Sequence, residues 1–264
     1  MKISALILAK NEEETLEECL RQLNFVDEII VLDQFSTDDT IKIAKKYTDK
    51  VIQSSKQDFD VNRNILRSKA EGEWLLYIDS DERITSTLRE EILTTIKDKK
   101  HAAYYIPREN YVLGKRIRHG GWWPDYVPKL FKKNQLIAWN GRVHESPQIN
   151  GSFGYFKNPL IHYTARSMSK MFQKTIKWAK IEAELSFNAQ HSKVSQIKLL
   201  KAMVFEFSSR YFKKLGILDG VPGLIEAIYQ ALHKAIVLTY LWEIQNNTEE
   251  KFIKFKKNFK NSEE

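Results

Sequence analysis

The most specific chemical signal in the chain is Asp79-Ser80-Asp81, which directly follows the apolar segment EWLLYI. Two carboxylates at positions i and i+2 after a buried strand can share a divalent cation, and their hard oxygen atoms suit Mg²⁺ or Mn²⁺. Such a cation neutralises the charge of a leaving diphosphate. The alternative is that both acids only open a solvated loop before a helix that is capped near Thr85. Because the pair lies at the end of a strand, we interpret Asp79 and Asp81 as metal ligands.

A second polar group is the segment VLDQFSTDDT, residues 31–40, in which an apolar strand ends at Asp33. An acid at the end of a strand can accept hydrogen bonds from a base or a ribose, and the helix start that follows can support a phosphate. The alternative is helix capping by Ser36 or Thr37, with acids in the first turn. We predict a binding role for Asp33, and expect less of Asp38 and Asp39.

Alternating apolar runs and helical periods must position these groups. Apolar runs at 3–9, 28–33, 50–53 and 73–79 alternate with helices predicted at about 11–23, 36–47 and 58–70. Continuous apolar runs between helices are typical of strands buried on both faces, and they predict a doubly wound α/β domain with a mainly parallel sheet. Ligands bind at the carboxyl ends of such strands. Residues 9–12, 33–36 and 79–81 should therefore converge, with Asn11 capping the first helix.

The remainder of the chain divides into two parts. Residues 101–164 contain longer aromatic strands around the segment GGWWPDY, which predicts an antiparallel second half of the same domain. From about Ser167 the pattern is helical, with a break predicted at LDGVPG, residues 218–223. We therefore divide the chain into a catalytic domain, residues 1–164, and a helical extension, residues 165–264. Charged residues interrupt every long apolar run of the extension, so we expect no spanning helix.

Composition and charge exclude several classes of protein. The 264 residues are 42% hydrophobic and 29% charged with a single cysteine, which excludes a disordered chain and a disulfide scaffold. The start MKISALILAKNEE contains no secretory signal, so a cytoplasmic location is expected. Residues 1–164 hold 25 Lys and Arg against 24 Asp and Glu, whereas residues 165–264 hold 17 against 10. This basic extension suits an anionic membrane surface, or packing on the catalytic domain or on a second copy in a homodimer.

Taken together, these segments resemble a known family. LILAKNEEE, VLDQFSTDDT and DVNRNILRSKAEGEWLLYIDSDE follow one another in the order and spacing of family 2 glycosyltransferases. WWPDYVPKLF, NGRVHE and LIHY are similar to the branch that includes bacterial lipopolysaccharide core glucosyltransferases, as is the later segment YFKKLGILDGVPGLIEAIYQAL. The resemblance implies the GT-A fold, which binds nucleotide-sugars, for the catalytic domain.

Site residues also follow from the resemblance. It implies a donor site built from Leu8, Ala9, Asn11, Glu12, Asp33, Arg63, Asp79, Ser80 and Asp81. Asp33 takes the position of the acid that contacts uracil or ribose, and Asp81 is the stronger candidate for direct metal ligation. Gln34 and Lys10 depart from the family pattern at positions that border the nucleotide. The identity of the base is therefore left open.

The implied reaction is an inverting, metal-dependent transfer of glucose from UDP-glucose to a membrane-associated glycan such as the lipopolysaccharide inner core. A carboxylate must deprotonate the acceptor hydroxyl. Glu145 is the first candidate for this base and Asp125 the second, while either could instead be a surface acid paired with Arg142 or Lys129. Trp122 and Trp123 either stack on an acceptor sugar or fill the core. His162 is either a third metal ligand or a buried core residue.

Other functions remain as alternatives. Within the same class, the acceptor could be a lipid phosphate, a capsule glycan or a peptide. A nucleotidyltransferase is less favoured, because LILAKNEEE lacks a glycine-rich, basic loop for a triphosphate. A non-enzymatic basic module would account for the extension but leaves the clustered acids unexplained. Nucleic acid is not an expected partner, since the first 164 residues are nearly neutral.

Overall fold

The computed structural model describes residues 2–98, 100–141, 145–165 and 167–248. The chain forms two compact units. The first comprises Met1–Arg118 and Trp122–Thr164, and the second comprises His119–Gly121 and Ala165–Glu264. The assignment of catalysis to the first and of attachment to the second stays a prediction.

The first unit begins with four parallel strands in the order β3-β2-β1-β4. The strands are β1 (Ile3–Ala9), β2 (Glu28–Asp33), β3 (Val51–Gln53) and β4 (Trp74–Tyr77), and the helices between them are α1 (Leu16–Arg21), α2 (Thr40–Ala44) and α3 (Phe59–Lys69). This arrangement confirms the predicted doubly wound first half, with its strands and helices in the expected order.

Further strands extend this sheet to ten, in the order β3-β2-β1-β4-β8-β6-β12-β5, with β7 and β11 beside β6. The pairs β4–β8, β6–β8, β6–β7 and β5–β12 are antiparallel, whereas β11 pairs parallel with β6. The added elements are β5 (Glu82–Ile84), α4 (Ser86–Asp98), β6 (Ala103–Val112), β7 (Lys115–Arg116), β8 (Asp125–Lys132), β11 (Phe153–Tyr155) and β12 (Leu160–Ala165). A separate two-stranded sheet pairs β9 (Leu136–Asn140) with β10 (Ser146–Ile149). The antiparallel second half is therefore confirmed, and the parallel pairing predicted for most of the sheet is concentrated in the first half.

Two apolar clusters explain the continuous apolar runs. In β1, Ile3, Ala5 and Ile7 belong to one cluster with residues of α1 and α4. Leu6 belongs to the other, with Leu66 of α3 and residues of β4 and β9. The β1 residues Ile3, Ala5, Leu6 and Ile7 are at most 1% exposed, because each face of the sheet is covered.

The loop after β1 corrects one prediction, namely that Asn11 caps a helix. Helix α1 begins only at Leu16, with Thr15 at its N-cap position. Asn11 has a left-handed backbone (φ 54°), and its side-chain oxygen accepts a hydrogen bond from the Thr37 N–H. Asparagine tolerates this conformation better than most residues. The polar residues before Leu16 therefore build a loop instead of the first helical turn.

The second unit is helical as predicted, but its break lies elsewhere. It contains α5 (Met168–Asn188), α6 (Gln196–Ser208), a π-turn (Ser209–Lys213), a 3-10 turn (Gly216–Asp219) and α7 (Gly220–Asn246). The helical segments bend by 68° at Leu215, which has a left-handed backbone (φ 58°) and precedes the predicted residues 218–223. Helix α7 begins inside that predicted segment, at Gly220 (φ 64°). Pro222 lies inside the first turn of α7, where a missing N–H costs nothing. Gly223 permits close packing, since a Cβ there would lie 2.0 Å from the Gly216 carbonyl oxygen.

The helices of this unit pack through small residues. α5 and α6 both pack on α7, and Ala183, Leu238 and Leu241 form a buried cluster there. Within the described part of the chain, no single helix is long and apolar enough to cross a bilayer. The segments Gln196–Lys213 and Gly216–Asn246 meet that test only together, and they are bent by 68°.

Candidate active site

The loops after β1 and β2 are joined side by side at the carboxyl edge of the sheet. The Asn11 N–H donates to the Ser36 hydroxyl (2.8 Å), and the Glu12 N–H donates to the Thr40 hydroxyl (2.8 Å). The polar residues after β1 and those after β2 thus meet, as the order of the strands predicted. Since these two amides bond to the neighbouring loop, Asn11 and Glu12 brace the edge through their backbones.

Asp33 is buried at the end of β2 and lies opposite Ala9 in the β1–β2 register. Its oxygens accept from the Ser36 N–H at 3.0 and 3.3 Å, and the Gln53 amide donates to Oδ2 at 3.3 Å. Ala9 is buried and Leu8 is half-buried at the end of β1. The side chain of Asp33 is therefore held in place by neutral donors.

Asp79 is the meeting point of two cations. The Lys129 ammonium lies 2.7 Å from its Oδ2, and the Arg63 guanidinium lies 3.6 Å from its Oδ1. Burial alone raises the pKa of Asp79, but the charges of Lys129 and Arg63 outweigh it and hold the pKa well below its usual range. Asp79 is therefore a carboxylate that already has cationic partners within the protein. The neighbouring Ser80 is buried, and its carbonyl oxygen accepts from Arg83 at 2.8 Å.

Lys129 and Glu82 are functional candidates that the sequence argument missed. Lys129 is 4% exposed and Glu82 is fully buried. The Lys129 ammonium lies 2.7 Å from Glu82 Oε2, the same oxygen that accepts from the Asp79 N–H at 2.9 Å. Burial raises the pKa of Glu82, and the nearby Lys129 opposes that rise. The sequence signal that could have found them is the lysine inside the apolar strand VPKLF, because a lysine is almost never fully buried without a partner.

Arg63 links the acidic motif to the first candidate base. Its Nε donates to Glu145 Oε1 at 2.9 Å, while its guanidinium also faces Asp79. The guanidinium lies over the rings of Trp139 (4.8 Å) and Tyr77 (5.4 Å), contacts that fix its plane. The two acids that Arg63 contacts therefore both lie outside its own helix, α3. Arg142, a suggested partner of Glu145, lies outside the described residues.

A second chain of polar contacts runs from Asp81 to Asp125. Asn110 is buried, and its amide donates to Asp125 Oδ2 (3.0 Å) and to the Trp122 carbonyl (3.3 Å). Its oxygen lies 2.7 Å from His162 Nδ1, so this nitrogen carries the proton. In the neutral ring, Nε2 then presents a lone pair. That nitrogen lies 3.7 Å from Asp81 Oδ1, too far for a hydrogen bond.

Asp125, the second candidate base, is more heavily engaged than Glu145. Its Oδ2 accepts from Arg108 Nε (2.9 Å) and from Asn110 (3.0 Å), and Arg108 Nη2 lies 2.8 Å away. Three donor atoms therefore already occupy this one oxygen of Asp125. Trp122 and Trp123 differ in environment. Trp122 has a buried indole N–H for which no partner occurs among the described residues, whereas Trp123 is 39% exposed beneath Arg116.

The donor set fits a cation shared with a ligand better than a closed metal centre. Among the described residues, no three His, Cys, Asp or Glu side chains converge as a metal site. Asp81 offers a carboxylate oxygen, the ligand type that Mn²⁺ and Mg²⁺ prefer, and the imidazole nitrogen of His162 lies beside it. Asp79, by contrast, is bound to Lys129. The remaining positions around such a cation would be filled by phosphate oxygens or water.

Comparison with known proteins gives four findings. The family model described as glycosyl transferase family 2 matches residues 4–163. An uncharacterised glycosyltransferase of Rickettsia conorii is 27% identical over 262 residues, with 92% of this chain and 90% of the relative covered. The lipopolysaccharide core biosynthesis glycosyltransferase LpsC of Rhizobium meliloti is 23% identical, with 92% and 93% covered. The crystal structure of S. aureus TarS 1–349 in complex with UDP is 15% identical with a TM-score of 0.49, covering 94% of this chain and 92% of that one.

Proposed function

The chain belongs to glycosyl transferase family 2, and from this premise we propose that it transfers glucose from UDP-glucose to a membrane-associated glycan. The first unit has the GT-A type fold of that family. The lipopolysaccharide inner core is our proposed acceptor, which the similarity to LpsC supports. Lipid phosphate, capsule glycan and peptide acceptors are the alternatives that an acceptor screen must include.

The observation that carries this proposal is Arg63, whose single side chain contacts both Asp79 and Glu145. The acidic motif lies 66 positions before Glu145 in the chain (residues 79 and 145), yet both acids meet at one guanidinium. A transferase needs this proximity, because the donor and the acceptor hydroxyl must react at a single carbon atom.

For the donor, we propose that Asp33 accepts a hydrogen bond from uracil or ribose. Its position at the end of β2, held by Ser36 and Gln53, supports this role. Leu8, Ala9, Asn11 and Glu12 would line the same edge. The carboxylate of Asp33 is already oriented before the nucleotide binds, so less free energy is spent on ordering it.

For the metal, we propose that Asp81 binds Mg²⁺ or Mn²⁺. His162 lies next to Asp81, and Asp79 lies at the other end of the Asp79-Ser80-Asp81 motif. The cation would supply neutralisation of the leaving diphosphate. The chain's own contribution is orientation. Asn110 holds the proton on His162 Nδ1, which leaves Nε2 directed toward Asp81.

For the chemical step, we propose Glu145 as the general base and an inverting displacement. The Glu145 carboxylate takes the proton of the acceptor hydroxyl as that oxygen forms a bond to the anomeric carbon. The bond from this carbon to the diphosphate oxygen breaks on the opposite face, so the configuration inverts. Asp125 is the second candidate, disfavoured by the three donors on its Oδ2.

For location, we propose that the protein acts in the cytoplasm, peripherally on the inner face of the cytoplasmic membrane. The basic balance of residues 165–264 supports an anionic membrane surface as a partner. A homodimer formed through the helices of the second unit stays a prediction, and nucleic acid is not among the partners we propose.

The test is calorimetric titration of the purified chain with nucleoside diphosphates and their sugars, with Mn²⁺ or Mg²⁺ present and then removed by a chelator. We expect metal-dependent binding of UDP and UDP-glucose, and we expect Asp81→Asn to lose the metal dependence. Asp49→Asn is the matched control, because Asp49 is exposed and precedes β3 at the opposite end of the parallel strands. Binding of no nucleotide would contradict the proposed transfer, and unchanged metal dependence in Asp81→Asn would contradict the metal assignment.

A further inference from the structure

The outer face of α6 carries apolar side chains that nothing in the described chain covers. Ile197, Leu200, Val204 and Phe205 are each more than 60% exposed. Their spacing of i, i+3, i+7 and i+8 places them on one side of the helix. Leu199, the neighbour of Leu200 in the chain, packs instead against the cluster formed with α7. The exposed face is therefore distinct from the face that builds the helical core.

The apolar surface continues across the break between α6 and α7. Five more large apolar side chains in this segment are between 47% and 68% exposed: Phe212, Leu215, Ile217, Leu218 and Val221. The left-handed backbone of Leu215 turns the chain here, and the helical segments on either side are bent by 68°. These nine residues form one run along the chain, which we call the apolar ridge. A soluble monomer rarely leaves this many large apolar side chains together in water.

The exposed charges on and beside the apolar ridge all have the same sign. The acids between residues 196 and 230 are Glu206, Asp219 and Glu226. Glu206 is bonded to Arg210, Asp219 to His119, and Glu226 is buried. Lys201, Lys213 and Lys214 are exposed on or beside the ridge. The surface that the segment presents is therefore apolar and cationic, without an exposed acid that would repel an anionic partner.

We propose that the apolar ridge inserts into the headgroup and upper acyl region of an anionic lipid bilayer, with Lys201, Lys213 and Lys214 bound to lipid phosphates. This inference rests on the proposed function and makes its membrane partner specific. Apolar side chains that enter the interface beside lysines are the combination by which interfacial helices bind anionic membranes. The ridge, and not the basic charge alone, then determines the affinity.

A second copy of the chain fits this surface less well. In a two-fold symmetric dimer the same patch faces itself, so a surface whose exposed charges are lysines would meet a second surface of the same sign. Like charges placed together across an interface are unfavourable. An anionic bilayer removes this conflict because its phosphates pair with every lysine, and its acyl region accepts the ridge without matching its shape.

The experiment measures partition of the full chain onto vesicles of phosphatidylglycerol and phosphatidylethanolamine, with phosphatidylcholine vesicles for comparison. The variant Ile217→Ser/Leu218→Ser removes two exposed ridge side chains without opening the core. The matched control Ile176→Ser/Leu185→Ser removes the same residue types from exposed positions on α5. We expect the ridge variant to lower the partition coefficient by about tenfold or more, and the control to change it by less than about twofold.

UDP-glucose binding, measured on the same samples, separates this inference from the proposed function. Loss of vesicle binding in the ridge variant, with UDP-glucose binding intact, supports the inference. Equal vesicle binding by the ridge variant and the parent would overturn it, as would a parent chain that binds UDP-glucose but no anionic vesicle. It is also overturned if sedimentation shows a dimer that the ridge variant dissociates while vesicle binding is unchanged. A chain that binds vesicles through the ridge but binds no nucleotide would contradict only the glycosyltransfer proposal.

Discussion

At the scale of single residues, the site is a set of charges that compensate one another before any ligand arrives. Lys129 pairs with the fully buried Glu82 and with the partly exposed Asp79, while Arg63 joins Asp79 to Glu145. Removal of one partner from a buried ion pair costs more than the pair contributes, since the remaining charge has no water around it. Lys129 is therefore expected to matter for stability as well as for the shape of the acidic motif.

The first prediction concerns Lys129→Met. At pH 8 we expect the free energy of unfolding to fall by about 3 kcal/mol, because Asp79 and Glu82 are left as neighbouring charges. Part of this loss should return at pH 5, where Glu82, whose pKa burial already raises, takes up a proton. Urea unfolding at both pH values measures the effect. Lys129→Met/Glu82→Gln is the matched control, and a loss of equal size at both pH values would contradict the role assigned to Glu82.

The second prediction concerns the base. Glu145→Gln should lower the rate of transfer by roughly a thousandfold, because a positioned general base contributes about 10²–10⁴-fold. UDP-glucose affinity should change little, since glutamine keeps an oxygen that accepts from Arg63. Transfer kinetics and calorimetry of the same variant provide the two measurements. If Glu145→Gln retains transfer and Asp125→Asn abolishes it, the base is Asp125.

At the scale of elements, helix ends and breaks determine what each segment can present. The loops after β1 and β2 replace the first helical turns, so that Asn11 and Glu12 contact Ser36 and Thr40. In the second unit, the break at Leu215 keeps the Gly216 carbonyl against Gly223. Helix α7 also carries a buried acid, Glu226, one turn after Gly223.

The third prediction concerns that acid. Burial raises the pKa of Glu226 to about 7, above its value in the unfolded chain. Because the folded chain binds the proton more tightly, stability is retained below about pH 4.5 and is lost as the pH rises toward 7. Glu226→Gln should therefore stabilise the chain by about 3 kcal/mol at pH 8, with much less effect at pH 5.

Thermal or urea unfolding of Glu226→Gln at the two pH values gives this measurement. Glu243→Gln is the matched control, because Glu243 lies exposed on the same helix. A gain of the same size at pH 5 and pH 8 would show that the carboxyl is not neutral in the folded chain.

At the scale of the whole molecule, charge and exposed apolar surface are both concentrated in the residues after 164. The first 164 residues are balanced, and the following hundred carry the basic excess together with the apolar ridge. Donor binding and membrane binding are therefore expected to respond differently to the salt concentration, because exposed charges are screened by salt whereas a buried site is screened much less.

The fourth prediction follows from this asymmetry. An increase in salt from about 0.05 M to about 0.5 M should weaken binding to anionic vesicles by roughly tenfold. Binding of UDP-glucose in the presence of Mn²⁺ should change far less over the same range. Vesicle sedimentation and calorimetry at each salt concentration provide the comparison. Vesicle binding that is insensitive to salt would leave the apolar ridge as the sole contact and exclude the lysines.

The sequence by itself determined the family, the order of the strands and the acids at their carboxyl ends. These features are local: an apolar run predicts a buried strand, and the next polar residue lies where that strand ends. Helix boundaries were less predictable, because Asn11 bonds to Ser36 and Thr37, which lie 25 and 26 positions away, instead of capping its own helix.

Only the tertiary structure decided which charges are partners. The sequence offered Arg142 or Lys129 for Glu145, and the fold selected Arg63 for Glu145 and Lys129 for Asp79 and Glu82. It also decided that Leu200 and Val204 face outward while Leu199 packs inward. The physical reason is the same in both cases. A side chain's partner, or its lack of one, depends on residues that are distant in the chain, and these are brought together only when strands and helices pack.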